Sequence, residues 1–206
     1  MSDLVLYSMP SSGNSYKVRL LLALLGRDYT HVPVETQSAE IAAAKAKGQL
    51  PQGKAPALHL GDGEILTESN AILWYLAQGS GWIPQDPLAQ ARMLGWMFFE
   101  QNRHEPVVAV RASLRCYPHL AQEATEAHMA ELLDAGHAIL QIMEEGLGEA
   151  PYFGGARPDL ADIALYAYTH TAGERGGFDM ERYPGLRAWI ERIAALPGYV
   201  ELMPDG

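Results

Sequence analysis

The chain has 206 residues, 48% hydrophobic and 19% charged, a composition that folds into globular structure and does not stay disordered. Its 25 acidic side chains against 15 Lys and Arg give a formal net charge of −10, which argues against a general nucleic-acid or anionic-membrane binder, since both need a basic surface. Its clean apolar runs, such as Leu20 to Leu25, fall far short of the roughly 20 residues that span a bilayer.

Met1-Ser2-Asp3 leads into a short strand-like segment without the basic and long apolar regions of a secretory signal, so none is expected. Cys116 is the only cysteine, which rules out an intrachain disulfide, a CxxC pair or a Cys-rich zinc site. That usage suits a reducing, cytoplasmic compartment. All four lysines lie in residues 1 to 80, with two arginines and seven acids; residues 81 to 206 hold nine arginines and 18 acids. Between the two halves runs Gly79-Ser80-Gly81-Trp82-Ile83-Pro84-Gln85-Asp86-Pro87, whose Gly and Pro content reads as a linker. The division is therefore 1–79, a linker at 80–87, and 88–206.

The first part alternates strands and helices. Leu4 to Tyr7 is a continuous apolar run, as in a buried strand. Val18 to Leu25 reads as a helix that Gly26 ends. Tyr29 to Val34 reads as a strand, placed at a sheet edge because Pro33 cannot donate to a ladder. A looser segment follows, then a hairpin from Ala57-Leu58-His59-Leu60 through Gly61-Asp62-Gly63 to Glu64-Ile65-Leu66, and a closing helix over Ala71 to Ala77. This order predicts a small sheet with helices on both faces.

The second part has helical periodicity alone. Met129, Leu132, Leu133, Gly136, Ile139, Leu140 and Met143 share one stripe, as do Leu186, Trp189, Ile190 and Ile193. Leu160 to Ala167 is apolar on nearly every face and reads as a helix buried all round, with Asp159 as its N-cap and Asp162 in its first turn. Pro106 is expected to kink a long helix, and Glu100 with His104 reads as a pair on that helix's surface.

Three stretches can carry chemistry. Ser11-Ser12-Gly13-Asn14 lies in the turn from the first strand to the first helix, where a hydroxyl facing the positive end of a helix can cap it or stabilise an oxyanion or thiolate. Glu68-Ser69-Asn70 opens the next helix: Ser69 and nearby N–H groups suit a carboxylate, and Glu68 suits an ammonium, a pairing that fits an amino-acid zwitterion. Between them Gln52-Gly53-Lys54-Ala55-Pro56 offers extended backbone before a proline, where a cis peptide bond would be a deliberate feature.

Together these stretches make the chain resemble the cytosolic glutathione transferases over nearly its full length. The matching pieces are Ser12 to Arg19, Gly53 to Leu58, Thr67 to Ile72, the helix start Asp159 to Asp162, and the ending from Tyr183 through Trp189 to Tyr199. The likeness is greatest to bacterial members and to the serine-type theta, delta and phi classes. It implies a thioredoxin-like α/β N-terminal domain that binds glutathione, an all-α helical C-terminal domain that contributes the electrophile pocket, and a homodimer. It implies glutathione as co-substrate, a small hydrophobic electrophile as partner, and no metal, nucleic acid or membrane.

By the same resemblance Ser12 is the thiol-activating serine, with Ser11 as the alternative, and Asn14 the asparagine that follows it in phi-like members. Lys54 stands near the glycyl end of glutathione, Ala55 pairs through its backbone with the cysteinyl unit, Pro56 is the cis-proline, and Glu68 and Ser69 hold the γ-glutamyl group. Phi-like members carry a basic residue where this chain has Ala42; Lys45 and Lys47 are nearest to it. Arg103, His104, Val107, Val108 and Arg111 fall where the family lines its electrophile pocket, or else serve packing and surface pairing.

The chemistry is consistent. A free thiol has a pKa of about 8.5, and lowering it by about two units takes roughly 2.7 kcal/mol of preference for the thiolate. One hydrogen bond to a charged group is worth about 1.5–3 kcal/mol, so a serine hydroxyl can supply much of it. The activity implied is thiol activation for attack on an electrophile; the alternatives are a glutathione-dependent peroxidase, isomerase or dehalogenase, or a non-catalytic binding protein on the same fold.

Overall fold

A computed structural model describes residues 4–203; the Met1-Ser2-Asp3 leader expectation lies outside them. The chain divides into two compact units, one built from the chain up to Ile83 together with the segment from Ala195 onward, the other from Pro84–Ala194.

The first unit opens with β1 (Val5–Ser8) and α1 (Gly13–Leu24), followed by β2 (Thr30–Pro33), α2 (Ala39–Ala46), β3 (Ala57–His59), β4 (Ile65–Thr67) and α3 (Ser69–Leu76). The strand order is β2-β1-β3-β4, with β1 parallel to β2 and antiparallel to β3, and β3 antiparallel to β4. β2 lies at an edge, where Pro33 costs no interior ladder bond. Val34, Ala44, Leu50 and Ala57 form a buried cluster with Tyr7 against it; Leu6, one residue back, points to the other face of the pleat. Val18, Leu20, Leu21 and Leu22 of α1 and Ile72 and Leu73 of α3 are fully buried, which makes these two helices the interior of the unit.

The segment from Ala195 groups with the first unit. Fully buried Tyr16 donates its hydroxyl to the Val200 carbonyl at 2.7 Å, and at Gly198 (φ +87°) a Cβ would stand 2.9 Å from the Ala23 carbonyl oxygen, so only glycine allows so close an approach.

The second unit is helical: α4 (Pro87–Phe99), α5 (Val110–Cys116), α6 (Glu126–Leu147), α7 (Leu160–Thr169) and α8 (Pro184–Ala194). Asp86 caps α4, accepting from the Ala89 N–H at 2.8 Å, with Pro87 at the first helical position. α7 is buried almost throughout, and its Asp159–Asp162 capping box is complete. Asp162 accepts from the N–H groups of Phe153, Gly154 and Asp159 and from the Trp189 indole, all at 2.8–3.0 Å, tying α7 to α8.

Pro106 lies inside a π-helical stretch, Glu100–Ala109, into which α4 runs and which passes into α5. Proline has no N–H to give and its ring crowds the carbonyl four residues back; the wider turn moves that carbonyl away. The widening also alters what faces inward. Glu100, His104 and Val108 are fully buried, so the first two are not a surface pair. Thr169 donates to the Leu165 carbonyl at 2.7 Å, so its hydroxyl oxygen accepts from His104 Nε2 at 3.1 Å.

Candidate functional site

The sheet register gathers the three candidate stretches at one end. Tyr7 of β1 faces Ala57 of β3, and Ala57 faces Thr67 of β4. The residues that continue past these pairs are the β1–α1 turn, Pro56 with Ala55 and Lys54 before it, and Glu68 with Ser69 after it. β2 ends at the same level, since Ser8 faces Pro33, which brings Glu35 to the turn.

The turn is braced from beneath. Arg19, 2% exposed, donates to the Met9 carbonyl at 2.9 Å, the Pro10 carbonyl at 2.7 Å and Ser8 Oγ at 3.1 Å. The Ser8 hydroxyl is then oriented to donate to His31 Nε2, 2.8 Å away. Burial, and Arg19 nearby, hold the His31 imidazole below its ordinary range, in the neutral form that accepts. Ser15 Oγ accepts from the Met9 N–H at 3.0 Å.

The two serines of the turn differ. Ser11 is buried, and its hydroxyl lies 3.2 and 3.3 Å from the two carboxylate oxygens of Glu35, to which it donates. Ser12 is half-buried at the N-cap of α1, and its Oγ accepts from the Ser15 N–H at 3.5 Å, its only side-chain hydrogen bond among the described residues. The Ser12 hydroxyl hydrogen is thus available to an acceptor arriving at the positive end of α1.

Asn14 and Ser69 are brought together. Ser69 Oγ donates to Asn14 Oδ1 at 3.2 Å, and Lys17 Nζ donates to the same oxygen at 2.8 Å. Glu68, at φ +67° and ψ 111°, is an exposed non-glycine residue in the left-handed region, and its side chain does not cap α3. Such backbone costs of order 1–3 kcal/mol and persists where the surroundings impose it, often at ligand sites. Ala55–Pro56 is the one cis peptide bond among the described residues; Pro56 is buried, Ala55 half-buried and Lys54 exposed. Lys45 reaches the same turn, its Cε 4.0 Å from where a Cβ on Gly53 would stand.

Sequence reasoning missed Lys17, Arg19 and Glu35. The first two precede or interrupt the apolar run from which α1 was read, and Glu35 stands past β2 with no local pattern to mark it. Of the pocket candidates on the helical unit, His104 and Val108 are buried. Arg111 is buried too, donating through Nε to the Gly176 carbonyl at 2.8 Å and through Nη1 to the Met129 carbonyl. Arg103 is exposed, its guanidinium 5.3 Å from the Phe99 ring centre. Among the described residues no group of three or more His, Cys, Asp and Glu side chains is placed to hold a metal ion, and no helix is long and apolar enough to cross a membrane.

A four-stranded sheet unit with the three candidate stretches at one sheet end, followed along the chain by a helical unit, is a fold that leaves the function to be argued from the site. The comparisons specify the family. Residues 6–81 match the glutathione S-transferase N-terminal domain and residues 126–192 the glutathione S-transferase C-terminal domain. The chain is 30% identical to the maleylacetoacetate isomerase of Rhizobium meliloti, over 99% of this chain and 97% of that one. A glutathione S-transferase structure from Pseudomonas fluorescens superposes with a TM-score of 0.91 at 40% identity, covering 98% of this chain and 100% of that one. A glutathione transferase homolog from Sulfitobacter, crystallised with glutathione bound, gives 0.79 at 25% identity over 96% and 95%. The chain belongs to the glutathione S-transferase family.

Proposed function

We propose that the chain binds glutathione across the sheet end and activates its thiol for attack on a small hydrophobic electrophile, with Ser12 as the hydrogen-bond donor to the thiolate. The observation that carries this reading is the contrast between the serines: Ser11 is committed to Glu35, while the Ser12 hydroxyl only accepts, over 3.5 Å. In the reaction the thiol proton passes to solvent, Ser12 donates to the sulfur anion, and the sulfur forms a C–S bond as a leaving group departs or a polarised double bond takes up the electron pair. Asn14 is a positioning residue that orients Ser69.

The remaining assignments follow the same reading. Ser69 and the α3 N-terminus take the γ-glutamyl carboxylate, exposed Glu68 its ammonium, and the Ala55 backbone before Pro56 the cysteinyl unit. Lys54, with Lys45 leaning on the adjacent Gly53 turn, meets the glycyl carboxylate, which answers for the basic residue missing at Ala42. The glutathione bound in the Sulfitobacter homolog supports glutathione as the ligand here. The reading includes a homodimer, supported by Phe98, 64% exposed on α4, and a cytoplasmic location, supported by the single cysteine.

Similarity to the Rhizobium enzyme favours a second reading on the same site, a glutathione-dependent isomerase acting on maleylacetoacetate. The experiment is a screen of purified protein and glutathione against halides, epoxides, peroxides, Michael acceptors and maleylacetoacetate. Conjugation consumes one thiol per product, and isomerisation consumes none. Protein that binds no glutathione and turns over none of these would overturn both readings.

A further inference from the structure

Lysine is among the residues least often found fully buried, yet Lys17 is 0% exposed. It also lies in the second turn of α1, near the positive end of the helix dipole, where a cation is disfavoured. Two local costs at one residue point to a compensating role. Its ammonium donates to Asn14 Oδ1 at 2.8 Å and lies 3.5 Å from Ser69 Oγ, and Ser69 donates to the same Asn14 oxygen at 3.2 Å. Lys17 therefore links the first turn of α1 to the first residue of α3. When the Ser69 hydroxyl turns from Asn14 toward a ligand carboxylate, Asn14 Oδ1 keeps the ammonium as its donor, so the switch leaves no buried acceptor stranded.

We infer that Lys17 is the positioning residue of the carboxylate end of the site. It holds Asn14 and Ser69 in register and adds a fixed buried charge beneath two helix N-termini, selecting ligands that carry an α-carboxylate on the γ-glutamyl group. This rests on the glutathione reading above and names the residue on which its selectivity depends.

The test compares glutathione with an analogue in which a 4-aminobutyryl group replaces γ-glutamyl, removing that carboxylate alone. By calorimetry, Lys17→Met should weaken glutathione binding by roughly tenfold, the scale of one partly buried charge at a helix end. It should leave the analogue's affinity unchanged, and Lys17→Arg should restore much of the selectivity. Equal weakening of both ligands, or of neither, would overturn the inference while leaving the glutathione reading standing. A wild type that bound neither ligand would overturn the reading and the inference with it. Should Lys17→Met not fold, the wild type still decides. With only four lysines in the chain, the slowly exchanging ammonium of Lys17 can be followed by nitrogen-15 NMR. It should shift on adding glutathione and stay in place with the analogue; an unmoved signal with both overturns the inference.

Discussion

Replacing Ser12 by alanine separates two roles that the N-cap position combines. As a cap, Ser12 contributes one bond of 3.5 Å to the Ser15 N–H, so the stability lost should fall at the low end for caps, about 0.5 kcal/mol. As a thiolate donor it contributes to the charged form of the ligand alone, about 1.5–3 kcal/mol, which raises the bound thiol's pKa by one to two units. If the wild-type complex holds that pKa near 6.5, about three-quarters of the thiol is ionised at pH 7; a rise of about 1.5 units leaves roughly a tenth. Conjugation should fall about as much, and most of it should return at high pH, where the nucleophile forms unaided. Thiolate absorbance of the binary complex against pH reads the effect directly. Ser11→Ala is the control, because the Ser11 hydroxyl is held by Glu35, and its curve should not move. An unshifted Ser12→Ala curve beside a shifted Ser11→Ala curve would move the role one residue back; two unshifted curves would refute hydroxyl activation altogether.

What the sequence made legible, and what it did not, follows from the range of the interactions involved. β1, the β3–β4 hairpin and the edge position of β2 were readable because apolar runs, a Gly-Asp-Gly turn and Pro33 are local signals. The start of α1 was not: Gly13, Asn14 and Ser15 are poor helix formers, held by the Ser12 cap and by bonds that Ser15 and Arg19 make back to Met9. The π-helical passage hid behind Pro106, which announces a break without saying how the helix absorbs it. Attachment of the last segment to the first unit involves contacts such as the bond between Tyr16 and Val200, 184 residues apart, which no periodicity encodes. The site shows the same division. Glu68, Ser69 and the Ala55–Pro56 turn stood out as candidates from residue types alone, but the proposed preference for Ser12 over Ser11 rests on Glu35, which stands past β2. Nothing in the sequence around Lys17 marks its place between Asn14 and Ser69, which only the fold brings together.

Two further outcomes test the site and its scaffold. Glu68→Ala should weaken glutathione binding clearly while the fold survives, since the exposed Glu68 side chain caps nothing; unchanged affinity by calorimetry would remove it from the γ-glutamyl contact. In the helical unit, His170 tests the pH response. Its ring stacks on Tyr166 at 4.6 Å, and Nδ1 lies 2.8 Å from the Tyr166 carbonyl. Burial, opposed by that carbonyl and reinforced by Arg175, pushes its pKa down to about 4. A base depressed in the folded state is neutral there while the unfolded chain still takes up a proton, so His170 contributes fully above about pH 6.5 and progressively less as the pH falls toward 4. The loss is at most about 3 kcal/mol, less where solvent screens the half-buried ring. Acid also acts on Asp159, whose carboxyl burial and Asp162 raise to about 7, but with the opposite sign: its contribution is lost as pH rises from its ordinary range toward 7. The comparison must therefore be wild type against His170→Gln, which cancels the carboxylates. The two melting temperatures should converge between pH 6.5 and 4, the variant losing less on acidification; parallel curves across that window would mean that His170 is protonated in the fold as readily as out of it.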